Sequence, residues 1–379
     1  MSTVNKSKLI IAAIACRPYV EAAIASGYSV VAIDAFADIE VSEWAESYYQ
    51  IDLCDGQLNM TQLMHLLNTL DLHQCVGFCY GAGFEKQPAI LSKINALLPV
   101  IGNLEQAVSR CKTPKYFFDL CEQLQLPYPS VRFDPPLSTA GWLRKEIGAS
   151  GGSHVKPLDS AKMNAEQTLE NEAIYYQQFQ QGMPVSCLFI ANNHDNQAHP
   201  VQIIGFNEQF LQPCHDAPFR YGGAVSHIKI SELAKVRLTE YISQLSQAIG
   251  LVGLNSCDVI CDEDDVYVLE INPRLSATMG LYANNRLFEQ HLAAVEGKAI
   301  EYGQVCKKSR AFQIIYAECA VAIQADTVWP DWVADRSRSG SLIETGMPIC
   351  TVIAQAETAD QAIMLVNERA ATIRRQFLN

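Results

Sequence analysis

The sequence lacks most of the features that assign a chain to a class at sight. It has no low-complexity tract, no block of Lys and Arg, and no apolar run near the roughly 20 residues of a membrane span. Lys and Arg number 28 against 41 Asp and Glu, a formal charge of −13. A surface built for phosphate backbones needs clustered cations, so nucleic acid is excluded as the expected partner, and the missing apolar run excludes a membrane. No Cys-x-x-Cys occurs to complete a zinc site, so zinc is not indicated by the eight scattered histidines. The 13 cysteines are odd in number and scattered. Most sit in apolar runs, as do Cys75, Cys79, Cys187, Cys257 and Cys350, which reads as reduced core cysteine in a cytoplasmic protein rather than a disulfide framework. The opening MSTVNKSKLIIAAIACRP follows its short apolar run at once with charge and proline, and is expected to be a first core strand, not a signal peptide.

What is present suits two or three packed domains: 379 residues, 49% hydrophobic and 18% charged. Residues 9–15, a helix from Pro18 to Ile24 with Gly27 behind it, and residues 29–33 read as strand, helix, strand. A helix over 60–70, a strand over 75–79, the turn GAGFE at 81–85, a helix after Pro88 and a short strand ending at Gly102 continue the alternation. That pattern predicts a parallel doubly wound sheet with ligands at the carboxyl ends of its strands. Asp34 stands at one such end, but the first turn, Ala15-Cys16-Arg17-Pro18, lacks the Gly-x-Gly-x-x-Gly of a dinucleotide site. Arg17, Gly81, Gly83 and Glu85 are substrate-site candidates by position, although glycine there serves a tight turn as readily.

The most informative stretch is residues 258–274, DVICDEDDVYVLEINPR. Apolar and β-branched residues flank a polar turn, as in a hairpin. An antiparallel return brings Asp258 and Glu270 together, and the period of two puts Glu270, Asn272 and Arg274 on one face, with Pro273 ending the ladder. Carboxylate and amide oxygens of this kind suit magnesium or manganese, and Arg274 suits a phosphoryl group or oxyanion. Taken alone, the same residues also fit a surface hairpin with solvated carboxylates.

Upstream motifs weigh against that second reading. In CKTPKYFFDLCEQLQLPYPS, residues 111–130, a helix begins at Thr113 as N-cap with Pro114 at its first position and stops before Pro127. Lys115 in its first turn opposes the helix dipole, so it is expected to serve an external phosphate, with Lys112 as the fallback. In WLRKEIGASGGSHVKP, residues 142–157, a strand ending at Lys145 precedes a loop with Gly148, Gly151 and Gly152, and a second strand starts near His154. Loop amides and a lysine point charge can hold phosphate, although the order is not that of a P-loop. Two apolar strands over 172–190 break at Gly182. The hinge residues Gln177, Gln178, Phe179 and Gln180 can present backbone groups and a ring to an adenine, or form an ordinary turn around a core Phe. Arg220, in the glycine loop FRYGGAVS, is a candidate for a substrate carboxylate.

In this order, Lys115, Lys145 with its glycine loop, the hinge, and Asp258, Glu270, Asn272 and Arg274 resemble the ATP-grasp superfamily of carboxylate-amine and carboxylate-thiol ligases, LEINPR most closely. The resemblance covers roughly residues 1–300. It implies an α/β and α+β chain: a Rossmann-like domain over 1–110, an ATP-grasp lid over 111–190, a central subdomain with the metal site over 191–304, and a C-terminal subdomain over 305–379 similar to that of the biotin-carboxylase branch. It also implies ATP on Lys115, Lys145, the glycine loop and the hinge, two Mg2+ ions (or Mn2+) on Asp258, Glu270 and Asn272, Lys145 and Arg274 as catalytic groups, and small carboxylate and amine substrates. Phosphoryl transfer to the carboxylate would give an acyl phosphate that the amine attacks. Gln177 and Pro184 stand where the family usually has glutamates, which puts the ribose contact in doubt. The segments GAGFE, WLRK, FRYGG and EINPR are most similar to relatives of tyramine-glutamate ligase in methanofuran biosynthesis. A carboxyphosphate-forming enzyme and a non-catalytic ATP-binding protein are the alternatives. The oligomeric state stays open, a homodimer among the candidates.

Overall fold

The computed structural model describes residues 7–158, 174–192, 201–282, 286–299 and 307–377. At its amino-terminal end a four-stranded parallel sheet runs in the order Ser47–Gln50, Ser29–Asp34, Lys8–Ala12, Cys75–Tyr80. The strand Lys8–Ala12 is apolar beyond its first residue because both of its faces are covered. Leu9 and Ile11 enter one core with Tyr19, Val20 and Ala23 of the helix Arg17–Ala25. Ile10 and Ala12 enter the opposite core with Leu63 and Leu67 of the helix Met60–Thr69 and with Leu91 and Ile94 of the helix Ala89–Leu97. This is the doubly wound arrangement expected. The first strand ends at Ala12 rather than 15 because the chain leaves the sheet to form the crevice, where the Ile14 N–H reaches the Ala82 carbonyl at 2.8 Å. Gly27, at φ +88°, closes the first helix, and the Tyr28 N–H returns to the Ala23 carbonyl.

The chain leaves this domain through two helices, Glu105–Lys112 and Pro114–Gln123. Pro114 has no N–H and disfavours helical geometry in the residue before it. Thr113 accordingly sits at φ −93°, ψ 103°, ending one helix and opening the next, with no side-chain capping bond. A small antiparallel sheet follows, ordered Val131–Arg132, Ile174–Gln178, Trp142–Glu146, Lys156–Pro157.

The largest sheet has eight antiparallel strands: Asp265–Asn272, Val252–Asp262, Met183–Asn192, Val201–Leu211, Tyr221–Ser226, Ser309–Tyr316, Pro348–Ala356 and Val333–Ala334. Cys187 and Phe189 face a core shared with the helices Glu232–Ile249 and Ala359–Phe377. Leu188 and Ile190 face the other way, toward the helix Leu287–Val295 and the amino-terminal domain. The sheets therefore divide the chain differently from the segments 111–190, 191–304 and 305–379. The strand Met183–Asn192, expected in the lid, belongs to the central sheet, and the carboxyl-terminal strands extend that same sheet. Of the cysteines expected in the core, Cys79, Cys187, Cys257 and Cys350 are buried and Cys75 is half-buried; those in described residues are free thiols. Among the described residues no helix is long and apolar enough to cross a membrane.

The small sheet and the eight-stranded sheet are joined through Gly182, whose φ is +138° and whose position would put a Cβ 2.6 Å from the Cys261 carbonyl oxygen. Both the dihedral and the approach require glycine. Gly182→Ala is expected to destabilise the protein by about 1–3 kcal/mol, read as a lower urea midpoint by circular dichroism; an unchanged midpoint would show that the hinge backbone adapts.

Candidate functional site

The hairpin places its two carboxylates as its periodicity requires. Asp258 lies opposite Glu270 and Ser256 opposite Asn272, with an irregularity in register after Asp258. Asn272 donates its Nδ2 to Asp258 Oδ2 at 3.0 Å, and Gln209, from the strand Val201–Leu211, donates to Asp258 Oδ1 at 3.2 Å. Two carboxylates held this close repel, and the compensating charge is Lys112. Its Nζ donates to Glu270 Oε2 at 2.8 Å and to Asn272 Oδ1 at 2.7 Å, from a side chain only 5% exposed.

Lys115, the residue expected to serve phosphate, is not part of this group. Its side chain is 71% exposed and pairs with Asp119 one turn on, at 2.9 Å. That i,i+4 pair offsets the unfavourable dipole position from which the expectation arose. The helix break at Thr113 turns Lys112 inward instead.

Lys145 comes from the small sheet, where it lies opposite Tyr175. Its Nζ donates to Gln177 Oε1 at 3.0 Å and lies 5.6 Å from the Tyr175 ring centre. Burial opposes its charge, but Tyr175 and Glu270 outweigh that and raise its pKa. Burial alone would raise Glu270 as well; Lys112 and then Lys145 dominate and hold it below the usual carboxylate range. Asp258 moves the other way, raised by burial and by the neighbouring Glu270 carboxylate. Across the pair, Glu270 carries the firm negative charge and Asp258 the yielding one.

Glu85 and Arg274, expected as substrate and catalytic groups, hold each other. Arg274 Nε donates to Glu85 Oε1, and Glu85 Oε2 accepts the N–H groups of Gly83 at 2.7 Å and Phe84 at 2.9 Å. The Glu85 side chain is 2% exposed. The glutamate of GAGFE is thus an anchor tying the amino-terminal sheet to the end of the hairpin. Tyr80 assists, its hydroxyl donating to the Asn103 carbonyl at 2.6 Å and lying 3.1 Å from the Pro273 carbonyl. Arg274 also reaches the Leu275 carbonyl at 3.2 Å and Asn272 Oδ1 at 3.5 Å.

The other two arginine candidates are engaged elsewhere. Arg17 pairs through Nε with Asp335 at 2.5 Å, joining the first helix to the carboxyl-terminal segment. Arg220 stacks 4.0 Å above the Tyr316 ring and donates to the Gln212 carbonyl at 2.9 Å. Of the hinge residues, Gln177 is buried while Gln178 and Phe179 are exposed. Phe179 lies 6.2 Å from the Phe219 ring rather than in a core, and Gln180 bonds to the adjacent Gln181 carbonyl. The Gln178 and Phe179 N–H groups are taken by the Ser130 and Gly141 carbonyls.

The glycine loop is pinned on two sides. Gly151 accepts the Tyr221 N–H at 2.9 Å, a Cβ on Gly152 would meet the Phe219 oxygen at 2.0 Å, and one on Gly148 would meet the Glu85 oxygen at 2.9 Å. Two buried polar atoms beside Lys145 have no partner among the described residues, Gln177 Nε2 and His154 Nδ1. Sequence reasoning missed Gln209, which only the strand pairing brings to Asp258, and passed over His154, whose signal was its place beside Gly151 and Gly152.

The donor set fits a hard divalent cation: two carboxylates and an amide oxygen converge, and the Lys112 ammonium already stands between two of them as a cation would. Among the described residues no group of three or more His, Cys, Asp or Glu side chains is arranged for a metal, so the amide and the substrate's own oxygens have to complete the shell. Gln177 Nε2, an orphaned donor beside Lys145, likewise fits an anionic ligand.

The small sheet, the pinned glycine loop and the acidic hairpin all lie in the stretch that follows the amino-terminal domain. The ATP-grasp domain family matches residues 114–278. An uncharacterized protein of Methanocaldococcus jannaschii is 24% identical over 385 residues, spanning 96% of this chain and 92% of that one. Biotin carboxylase from Campylobacter jejuni superposes with a TM-score of 0.71 at 15% identity, over 94% of this chain and 89% of that one. L-amino acid ligase from Bacillus licheniformis gives 0.69 at 15% identity, over 96% of each chain. At these identities the likeness to the solved structures is one of fold.

The buried pair gives a pH test. Burial would raise Glu85, but Arg274 and Lys112 outweigh it and lower its pKa. Its charge therefore stabilises the fold above the unfolded carboxylate pKa of about 4.3, and that stability is lost as pH falls through the lower folded value. Glu85→Gln should cost about 3–5 kcal/mol at pH 7, measured by urea unfolding, with the gap to wild type narrowing below pH about 4. A gap that stays constant with pH would mean that shape, not charge, holds Arg274.

Proposed function

We propose that the protein is an ATP-dependent ligase that joins a small carboxylic acid to an amine through an acyl phosphate, releasing ADP and phosphate. The observation that supports this most is the convergence of Glu270, Asn272 and Asp258 with Lys112 from a different element, flanked by Lys145 and by an Arg274 whose orientation is fixed by Glu85. A magnesium ion held by the two carboxylates and the amide oxygen would supply charge neutralisation for the transferring phosphoryl group. Lys145, fixed by Gln177 and Tyr175, adds positive charge beside the nucleotide phosphates. Arg274 uses three of its five N–H donors among the described residues, on Glu85, Leu275 and Asn272, and the others would meet the oxyanion that forms when the amine attacks.

In this reading Arg17 and Arg220, engaged with Asp335 and Tyr316, frame the substrate region rather than grip an anion directly. Glutamate with tyramine or another small amine is the first pair to try, a choice that rests on the similarity of GAGFE, WLRK, FRYGG and EINPR to the methanofuran-linked ligases. The fold shared with biotin carboxylase makes bicarbonate the necessary control.

The test is ADP release by the purified protein with ATP and Mg2+, against a matrix of amino acids and small amines plus bicarbonate. Release that requires one acid and one amine together is expected. Release with bicarbonate alone would replace the ligase by a carboxyphosphate-forming enzyme, and nucleotide binding without release under any condition would indicate a non-catalytic role. Glu270→Gln should lower turnover at least a hundredfold, about 2.7 kcal/mol of barrier, with the folded circular-dichroism spectrum retained although the unfolding midpoint falls, because buried Lys112 loses its charged partner. Turnover near wild type would remove the hairpin from the chemistry.

A further inference from the structure

His154 follows Gly151 and Gly152, on the loop that Tyr221 and Phe219 pin from one side and Glu85 from the other. Its Nδ1 is shut off from solvent and has no hydrogen-bond partner among the described residues. A buried ring nitrogen left unpaired is costly, so the position calls for a ligand atom. Its surroundings state what kind. Burial and then the charges of Glu270 in the hairpin, Lys145 and Glu146 in the small sheet, and Lys112 in the helix before it act on the His154 ring, which puts these groups in its neighbourhood. An atom that reaches this nitrogen lies in the same charged neighbourhood as the acidic hairpin and Lys145. Gln177 Nε2, the other unpaired donor beside Lys145, points to the same class of partner, an acceptor oxygen.

We infer that His154 Nδ1–H donates a hydrogen bond to an oxygen of the terminal phosphoryl group of a bound nucleoside triphosphate, making His154 a specificity contact for the triphosphate over the diphosphate. This rests on the nucleotide reading of the site and adds to it a side chain that discriminates by phosphate number. Backbone amides of a glycine loop hold phosphates without telling one from another, whereas a ring nitrogen held in place beside the acidic hairpin meets only the group that is transferred. Once that group has left, His154 loses its partner and the diphosphate is held less tightly.

The inference is tested by equilibrium binding, with Mg2+, of ADP and of the β,γ-imido analogue of ATP to wild type, His154→Ala, His154→Asn and His154→Gln. In wild type the analogue should bind more tightly than ADP. His154→Ala should weaken the analogue about tenfold, equivalent to one hydrogen bond to a charged acceptor, and leave ADP within about twofold. Asn places its amide nitrogen near the position of Nδ1 and should restore most of the loss, whereas Gln, whose nitrogen falls nearer Nε2, should not. Equal weakening of both nucleotides, or none, overturns the role of His154 while the nucleotide site stands. Wild-type protein that binds neither nucleotide overturns the site and this contact together.

Discussion

Asp258 and Glu270 face one another across a single hairpin, and much of the surrounding structure answers the repulsion that this register imposes. Like charges directly opposite on paired strands are destabilising. The compensation comes from outside the hairpin: the Lys112 ammonium from the helix before it, Lys145 from the small sheet, and the Gln209 amide from the next strand but one. Each reaches the pair from a different element, so the pair is affordable only in the assembled fold. Unequal compensation then separates the two acids, with Glu270 firmly ionised and Asp258 shifted toward its neutral form. A cation bound at the pair, as proposed, would take over a neutralising role that Lys112 performs in this structure.

The same dependence explains why the amino-terminal domain is needed at all. Its parallel sheet ends in the turn that carries Glu85, and Glu85 fixes Arg274 beside Asn272. Asn103 extends the connection, donating to Asn255, Val252 and Pro273 and accepting the Val252 N–H. The two ends of the hairpin strands are thereby tied to one face of the doubly wound sheet. A guanidinium on a free hairpin end would sample many orientations, and the buried carboxylate removes that freedom before substrate arrives.

Local patterns were legible in the sequence and long-range ones were not. The hairpin could be read because a period of two and a polar turn are properties of adjacent residues. The doubly wound sheet could be read because strands buried on both faces are apolar throughout, as in KLIIA. Lys112 and Lys115 could not be ranked: both lie near the same helix start, and the choice depends on how Pro114 reorients the chain at Thr113. The dipole argument for Lys115 was sound in itself and was defeated by one residue, Asp119. The fates of Arg17, Arg220 and Glu85 were also hidden, since their partners lie 318, 8 and 189 residues away, or stack from another strand in the case of Tyr316. Similarly, the strands beyond residue 307 read as a separate unit until pairing showed that they complete the central sheet.

That completion bears on where substrates can be recognised. In an open parallel sheet the crevice outside the carboxyl ends of the strands is the ordinary ligand site, and here the carboxyl-terminal segment enters it. The Ile39 N–H bonds to the Arg336 carbonyl, Arg336 pairs with the buried Glu40, Arg17 pairs with Asp335, and Arg338 lies over the Tyr48 ring. Asp335 adopts a left-handed backbone, φ +52°, to make its contact, a conformation uncommon outside glycine, though Asp and Asn adopt it more readily than most. The crevice is therefore filled by protein along this edge, and its arginine is neutralised before any ligand is considered. The hairpin side of the same sheet carries Tyr19, whose hydroxyl donates to the Leu275 carbonyl next to Arg274. With the opposite edge closed by Asp335, Arg336 and Arg338, that hairpin side is where the proposed phosphoryl transfer would take place.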